Sequence, residues 1–192
     1  MTSLPDWMRP PRAEGWFADD LDRLPEAPRH TELIDGALVF MMSPQRVWHG
    51  RVVRNLAGLL EAQGPGSVEV DHEMTVRLDD RSRPEPDVVV SSASFDSGRT
   101  WVTPADVLLV VEVTSPESEH RDRTVKLRKY AEAGITHYWL IEEENDRPVV
   151  HVYELDGPTR AYAPVGIFRG KLELAMPFPI TIDLDSLVRP KR

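Results

Sequence analysis

Leu108-Leu109-Val110-Val111-Glu112-Val113-Thr114-Ser115-Pro116 is the stretch on which the reading of this chain turns. It opens as an unbroken apolar run, the kind that fills a strand buried on both faces. It then sets a carboxylate between two valines, a costly position unless the acid is paired, hydrogen-bonded or bound to a cation. Upstream, Pro84-Glu85-Pro86-Asp87-Val88-Val89-Val90 delivers a second acid just as another strand begins. Downstream, a predicted helix offers Asp122 and Lys126. Two strand acids and a nearby lysine are the minimal set for a divalent metal ion that activates water against a phosphodiester. Metal-dependent phosphodiester hydrolysis is therefore the expectation against which the rest of the chain is read.

The chain's 192 residues suffice for one domain with a sizeable core. Residues 1–14, with Pro5, Pro10 and Pro11, read as an irregular arm, and residues 15–188 as the domain. A hydrophobic content of 41% and a charged content of 29% are those of a globular protein in water. No apolar run approaches the roughly 18 residues that span a bilayer, so no membrane partner is expected. The first residues show no basic region followed by an apolar core, so a cytoplasmic location is expected. The absence of cysteine excludes disulfides, thiolate metal ligands and cysteine nucleophiles together. A net charge of −9 argues against a simple nucleic-acid binder, whose surface is normally basic. Yet Arg121, Arg123, Lys126, Arg128 and Lys129 crowd into nine positions, and a bound dication would offset some of the acids.

In chain order, Trp16–Leu24 reads as a short amphipathic helix ending near Pro25. His30–Met41 is a hairpin, because Asp35-Gly36 is a strong two-residue turn signal between apolar runs, and Glu32 lies on its first strand. After Ser43-Pro44, residues 46–63 carry Val47, Val52, Val53, Leu56, Leu59 and Leu60 at helical spacing, stopped by Gly64-Pro65-Gly66. His49 sits near the start of that helix. Strands are expected at 67–70 and 73–78, then at the Asp87 run, with a loop over 91–103 before the Glu112 strand. A helix over 119–133 ends at Gly134, and a strand follows at 137–141. Short antiparallel strands are expected at 149–155, 161–165, 171–174 and 180–182. The order gives an α/β fold: a central mixed β-sheet flanked by helices, with an N-terminal helix and β-hairpin added.

On the 119–133 helix, Leu127, Tyr130, Ala131 and Gly134 form the buried stripe. Asp122 and Lys126 lie along one border of it, one turn apart, where a lysine can reach inward along its apolar stem. Lys129 is placed on the outer surface. The plainer alternatives are a surface i,i+4 pair for Asp122 and Lys126, worth a few tenths of a kcal/mol, a turn acid for Asp87 and a strand-end ion pair for Glu112.

Glu112-Val-Thr-Ser-Pro-Glu-Ser, then Asp122-Arg-Thr-Val-Lys126, Lys129-Tyr130-Ala131-Glu132-Ala133-Gly134-Ile135 and Tyr138-Trp139-Leu140-Ile141 resemble the signature of the Uma-two family. Its members are grouped with the endonucleases of the PD-(D/E)XK restriction-endonuclease-like superfamily. Glu32-Leu33-Ile34-Asp35-Gly36, Ser43-Pro44 with His49, and Pro86-Asp87-Val88 extend the resemblance over about residues 15–185. It implies a restriction-endonuclease-like core and an Mg²⁺-dependent deoxyribonuclease, with Mn²⁺ able to substitute. Asp87, Glu112 and the Val113 carbonyl would be metal ligands, and Lys126 the catalytic lysine that orients or deprotonates the attacking water. Glu32, His49 and Asp122 are additional candidates. One departure matters: the superfamily's lysine position after Glu112 holds Thr114, so the cation would come from the helix instead. DNA, or RNA, is the implied partner. A duplex cut further suggests a homodimer, with Tyr138–Ile141 and the apolar residues of 149–182 offering surface for a second copy.

Other readings stand beside this one. A catalytically silent nucleic-acid- or protein-binding module could keep the fold, and the acidic balance favours it somewhat. A different metal hydrolase built on His49, His72, Glu73 or His120 lacks any H-x-x-x-H or H-E-x-x-H spacing. A purely structural protein would carry Glu112 as a liability without a purpose.

Overall fold

The parity of one strand decides how the molecule is layered. The computed structural model describes residues 5–24, 26–41 and 44–188. Met1–Leu4 of the predicted arm, the helix end at Pro25 and Ser43 of the Ser43-Pro44 pair lie outside those residues. In the first half of the chain the strands are β1 (Thr31–Ile34), β2 (Ala37–Phe40), β3 (Glu69–His72), β4 (Thr75–Val76), β5 (Val88–Ser91) and β6 (Trp101–Val102). They are followed by β7 (Val107–Val113), β8 (His137–Glu144), β9 (Arg147–Asp156), β10 (Ala161–Arg169), β11 (Lys171–Leu174) and β12 (Ile180–Asp183). The helices are α1 (Val47–Gln63) and α2 (Leu127–Glu132), the latter entered through a π-helical segment, Arg121–Lys126.

Six strands form the central sheet in the order β10-β9-β8-β7-β5-β3, with β7 and β8 parallel and the other neighbours antiparallel. On β7, Leu109, Val111 and Val113 face one side. There they pack with Val52, Val53, Leu56 and Leu60 of α1 and with Leu172, Ile180 and Ile182 of the β11–β12 hairpin. Val110 faces the other side, among Tyr130 and Ile135 of the α2 region and Tyr138 and Leu140 of β8. Because side chains alternate along a strand, Glu112 falls on the α2 side with Val110. The expected mixed sheet between helices is thus what the residues build.

Two-residue turns set the hairpin registers. Asp35 and Gly36 have φ of 50° and 77°, and Asn145 and Asp146 have 51° and 62°, the left-handed pairs that match the twist of flanking strands. A Cβ at Gly36 would come within 1.9 Å of the Arg81 guanidinium, so this glycine also makes room for a neighbour. At the end of α2, Gly134 takes φ 88° and the Ile135 N–H returns to the Tyr130 carbonyl at 3.1 Å, a left-handed stop. The β1–β2 hairpin lies outside the main sheet. It is fastened by reciprocal backbone bonds between Leu33 and Arg83 of 3.1 and 2.7 Å. The buried Arg83 side chain then holds Asp22 with two bonds of 2.9 Å and also reaches Thr75 and the Ala18 and Thr100 carbonyls.

Several local expectations change. The N-terminal helix is a 3₁₀ segment, Ala18–Arg23, closed by the Phe17 N–H on Asp20 at 2.8 Å. The strand expected at 73–78 shrinks to Thr75–Val76, because Glu73 adopts φ 57° and breaks the extended run. Its partner is β6, running parallel within the stretch read as a loop. The strand expected at 67–70 lies at Glu69–His72 instead. β10 runs on to Arg169, past a register shift between Pro164 and Gly166, a device that blunts an edge strand.

Tyr138, Trp139, Leu140 and Ile141 are at most 1% exposed. They fill this chain's own core and offer nothing to a second copy. Val149, Val150, Leu172, Ile180 and Ile182 are likewise buried, while Val165, Ile167 and Met176 of the same stretch are exposed. No helix among the described residues is long and apolar enough to cross a membrane.

Candidate active site

The β5–β7 register places the two strand acids side by side. Val88 pairs with Val111, so Asp87, one step before β5, stands opposite Glu112. Asp87 Oδ2 accepts the Val113 N–H at 2.6 Å, and its other oxygen lies 3.1 Å from His49 Nε2 at the start of α1. Asp87 is therefore tied to β7 through backbone, which fixes its carboxylate beside the Glu112 strand end.

Beneath them is a buried cluster. Lys126 Nζ contacts both Glu112 oxygens at 3.0 and 3.1 Å, Glu32 Oε1 at 2.6 Å and Asp122 Oδ1 at 3.7 Å. Tyr130 donates its hydroxyl to Glu112 Oε1 at 2.8 Å. Glu32, carried in on the β1–β2 hairpin, also accepts the Glu85 N–H at 2.9 Å. Two strands distant in sequence, β1 and β7, thus meet Asp122 of the lysine's own segment at one ammonium.

Burial sets the electrostatics. It pushes the Glu112 carboxyl well above its usual range; Lys126 pulls the other way, while Asp122, Asp87 and Glu32 reinforce the rise. Asp122 is raised for the same leading reason, with Lys126 and Ser118 opposing. Burial works against the charge on Lys126, but Glu112, Glu32 and Asp122 outweigh it and hold its pKa well above that of a free lysine. His49 is raised as well, because Asp87 outweighs burial. In this setting Lys126 is a permanent cation and a hydrogen-bond donor.

Four polar atoms in the cluster have no hydrogen-bond partner although buried: Glu32 Oε2, Asp122 Oδ1, His49 Nδ1 and Arg121 Nε, the last facing Glu32 Oε2 at 3.6 Å. Such atoms are rare in a folded interior and call for a reason. Four acids, Glu32, Asp87, Glu112 and Asp122, face two fixed cations, Lys126 and Arg121, the latter 3.6 Å from Glu32 Oε2. Fully ionised, they carry a net charge of minus two, and hard carboxylate oxygens are what Mg²⁺ takes. The residues fit a divalent cation in chemistry and charge. Among the described residues, no three such side chains stand in ready-made ligand geometry; Lys126 occupies the centre that they share.

The cluster opens into a cleft of about 510 Å³, walled by Met41, Pro44, Trp48 and Pro86 and floored by Val113–Ser118. Every candidate from the sequence borders it: Asp87, Glu112, Val113, Lys126, Glu32, His49 and Asp122. Tyr130 was legible only as part of an apolar stripe. Its hydroxyl was the missed signal, since a buried phenol has to find an acceptor.

Lys129 departs from expectation. It is 8% exposed, with its ammonium on Asp35 and, at 3.2 Å, on Ser82 Oγ. Residues three apart on a helix share a face, so a lysine one turn beyond Lys126 also turns inward, toward the hairpin. Lys129→Ala should therefore lower stability by about 1–3 kcal/mol, the range for hydrogen bonds to a charged group. Calorimetry should show a melting temperature several degrees lower; an unchanged value would return Lys129 to the surface.

A mixed α/β sheet presenting acids from two adjacent strands at one cleft fits the restriction-endonuclease-like class, with the lysine supplied here from the following helix. A family model for Uma2, described as "Putative restriction endonuclease", matches residues 18–185. The chain belongs to that family. Its fold is similar to the crystal structure of a protein from Anabaena variabilis ATCC 29413, described as "a putative nuclease belonging to DUF820". That match has a TM-score of 0.67 and 17% identity, and covers 89% of this chain and 98% of the other. No curated protein matches the chain.

Proposed function

We propose that this protein is a metal-dependent nuclease that hydrolyses phosphodiester bonds in DNA. The observation that carries the reading is the Glu112–Lys126 pair, buried beside the cleft with Glu32 Oε2 and Asp122 Oδ1, carboxylate oxygens that accept no hydrogen bond and meet their cations only at 3.6 and 3.7 Å. Asp87, Glu112 and the Val113 carbonyl would hold Mg²⁺ or Mn²⁺, with Glu32 and Asp122 supplying further oxygens. When bound, the ion supplies Lewis-acid charge at the phosphate and lowers the pKa of a water molecule. The Lys126 ammonium, aimed by Glu112 and Glu32, orients that water and stabilises charge developing on the phosphate oxygens. Tyr130 holds the Glu112 carboxylate in place, and the Val113 N–H does the same for Asp87.

The competing reading is a silent binding module in which Lys126 permanently neutralises the cluster. Its contact with both Glu112 oxygens favours that alternative. Purified protein incubated with plasmid and single-stranded DNA should cut in Mg²⁺ or Mn²⁺ and stop cutting in EDTA. Absence of cleavage on both substrates, together with a melting temperature indifferent to Mg²⁺, Mn²⁺ and Ca²⁺, would establish the silent module.

A further inference from the structure

The groups that would meet a scissile phosphate sit at the bottom of the cleft. Glu112, Asp122 and Lys126 are 2%, 1% and 3% exposed. A phosphodiester in an intact duplex rides on the outside of a stiff rod. A single strand, free of that stiffness, can lead its backbone and an unstacked base into a recess. The cleft's volume of about 510 Å³ lies in the range of pockets that enclose one small ligand.

Charge points the same way. Duplex DNA carries one negative charge per roughly 1.7 Å, and proteins that lie along it neutralise many phosphates with Lys and Arg. Here Glu73, Glu85 and Glu117 border the cleft against Arg46, which is itself paired with Glu143 at 2.5 Å. The basic block of residues 121–129 is paired within the chain, with Arg123 and Arg128 at the surface. Arg121 faces Glu32, Arg123 binds Glu142 and lies 3.4 Å from Glu119, and Arg128 lies 3.8 Å from Glu132. Lys126 and Lys129 are buried on their own acids. These five residues make no row that could track a backbone.

The walls suit a base. Trp48, in the first turn of α1, borders the cleft with Met41, Pro44 and Pro86 while packing against the main core. An aromatic wall above a charged floor is the arrangement on which an unstacked base settles, whatever its identity. Resting on the nuclease reading above, we infer that the cleft receives one unstacked nucleotide. Trp48 stacks the base while the adjoining phosphodiester reaches Glu112 and Lys126. The substrate class is single-stranded DNA, and an intact duplex is excluded.

The test uses the full chain with Ca²⁺ in place of Mg²⁺ and a fluorescein-labelled oligothymidine, alone or annealed to oligoadenine. Anisotropy should show the single strand binding about tenfold or more tighter than the duplex, and Trp48→Leu should remove about tenfold of that affinity, the scale of one stacked base. Trp48→Phe, which still stacks, should bind nearly as wild type. Should Trp48→Leu fold poorly, 2-aminopurine in the strand reads stacking in the wild type: quenching on binding is expected, and unchanged emission overturns the stacking role. Equal binding of duplex and single strand, or duplex cleavage in Mg²⁺ as fast as single-strand cleavage, overturns the inference and leaves the nuclease intact. Tight single-strand binding with no cleavage in Mg²⁺ or Mn²⁺ sinks the nuclease reading and leaves the pocket's preference standing.

Discussion

Glu112→Gln should lower DNA cleavage by about two to three orders of magnitude, the scale on which a single group that stabilises transition-state charge is felt, while the fold survives. Glutamine has nearly the same shape, and its amide oxygen can still accept the Tyr130 hydroxyl that now reaches Oε1 at 2.8 Å. The change in stability should be small because two costs oppose each other. Removing a buried carboxylate relieves a desolvation penalty that already drives Glu112 well above the usual carboxyl range. The same change takes from Lys126 a partner at 3.0 Å, but leaves it Glu32 at 2.6 Å and Asp122 at 3.7 Å. What is lost is the ligand charge. Cleavage rates and melting temperatures measured on one preparation separate the two effects. Full activity in Glu112→Gln would assign the cleavage to another site or to a contaminant.

The features that sequence exposed were those carried by strand parity. A carboxylate inside Val107–Val113 has to face one side of the sheet, and the apolar stripe of the next helix says which neighbours it meets. Asp87 was legible because it stands at the mouth of another buried, valine-rich strand, Val88–Ser91, and antiparallel register did the rest. The features that stayed hidden depend on short or long-range contacts. β4 and β6 are two residues each, too brief to show any alternation. The π-helical entry to α2 leaves no period in a six-residue window. Glu32 reaches Lys126 only because Arg83 clamps the hairpin to the body. That clamp depends on Asp22 and Thr100, residues with no distinguishing pattern of their own. Lys129 was misplaced for a simpler reason: a rotation of three residues on a helix is nearly a full turn, and it returns the side chain to the face it seems to have left.

The acidic balance of the chain also has a local explanation. Part of the negative charge lines the cleft, at Glu32, Glu73, Glu85, Asp87, Glu112, Glu117 and Asp122. It is also what makes the lysine indispensable.

Lys126→Met should be the most destabilising of these substitutions. Methionine keeps most of the apolar stem's volume but removes, among the described residues, the only ammonium within reach of Glu32, Glu112 and Asp122, each at most 2% exposed. Breaking a buried pair by deleting one partner costs about 3–5 kcal/mol, because the remaining charge is stranded out of water. Here three acids are stranded, although protonation of one or two of them limits the loss. For a domain of this size the melting temperature should fall by about 6–20 °C, at roughly 2–4 °C per kcal/mol, and cleavage should be undetectable. A divalent cation should then do for the variant what the ammonium does for the wild type. Millimolar Mg²⁺ or Mn²⁺ should raise the variant's melting temperature more than the wild type's, since ligand binding to the folded state alone adds stability in proportion to its affinity. Differential scanning fluorimetry across a metal titration reads both curves. A variant that melts like the wild type, or one that gains no more from metal than the wild type does, would show that Lys126 is not the charge around which these carboxylates are assembled.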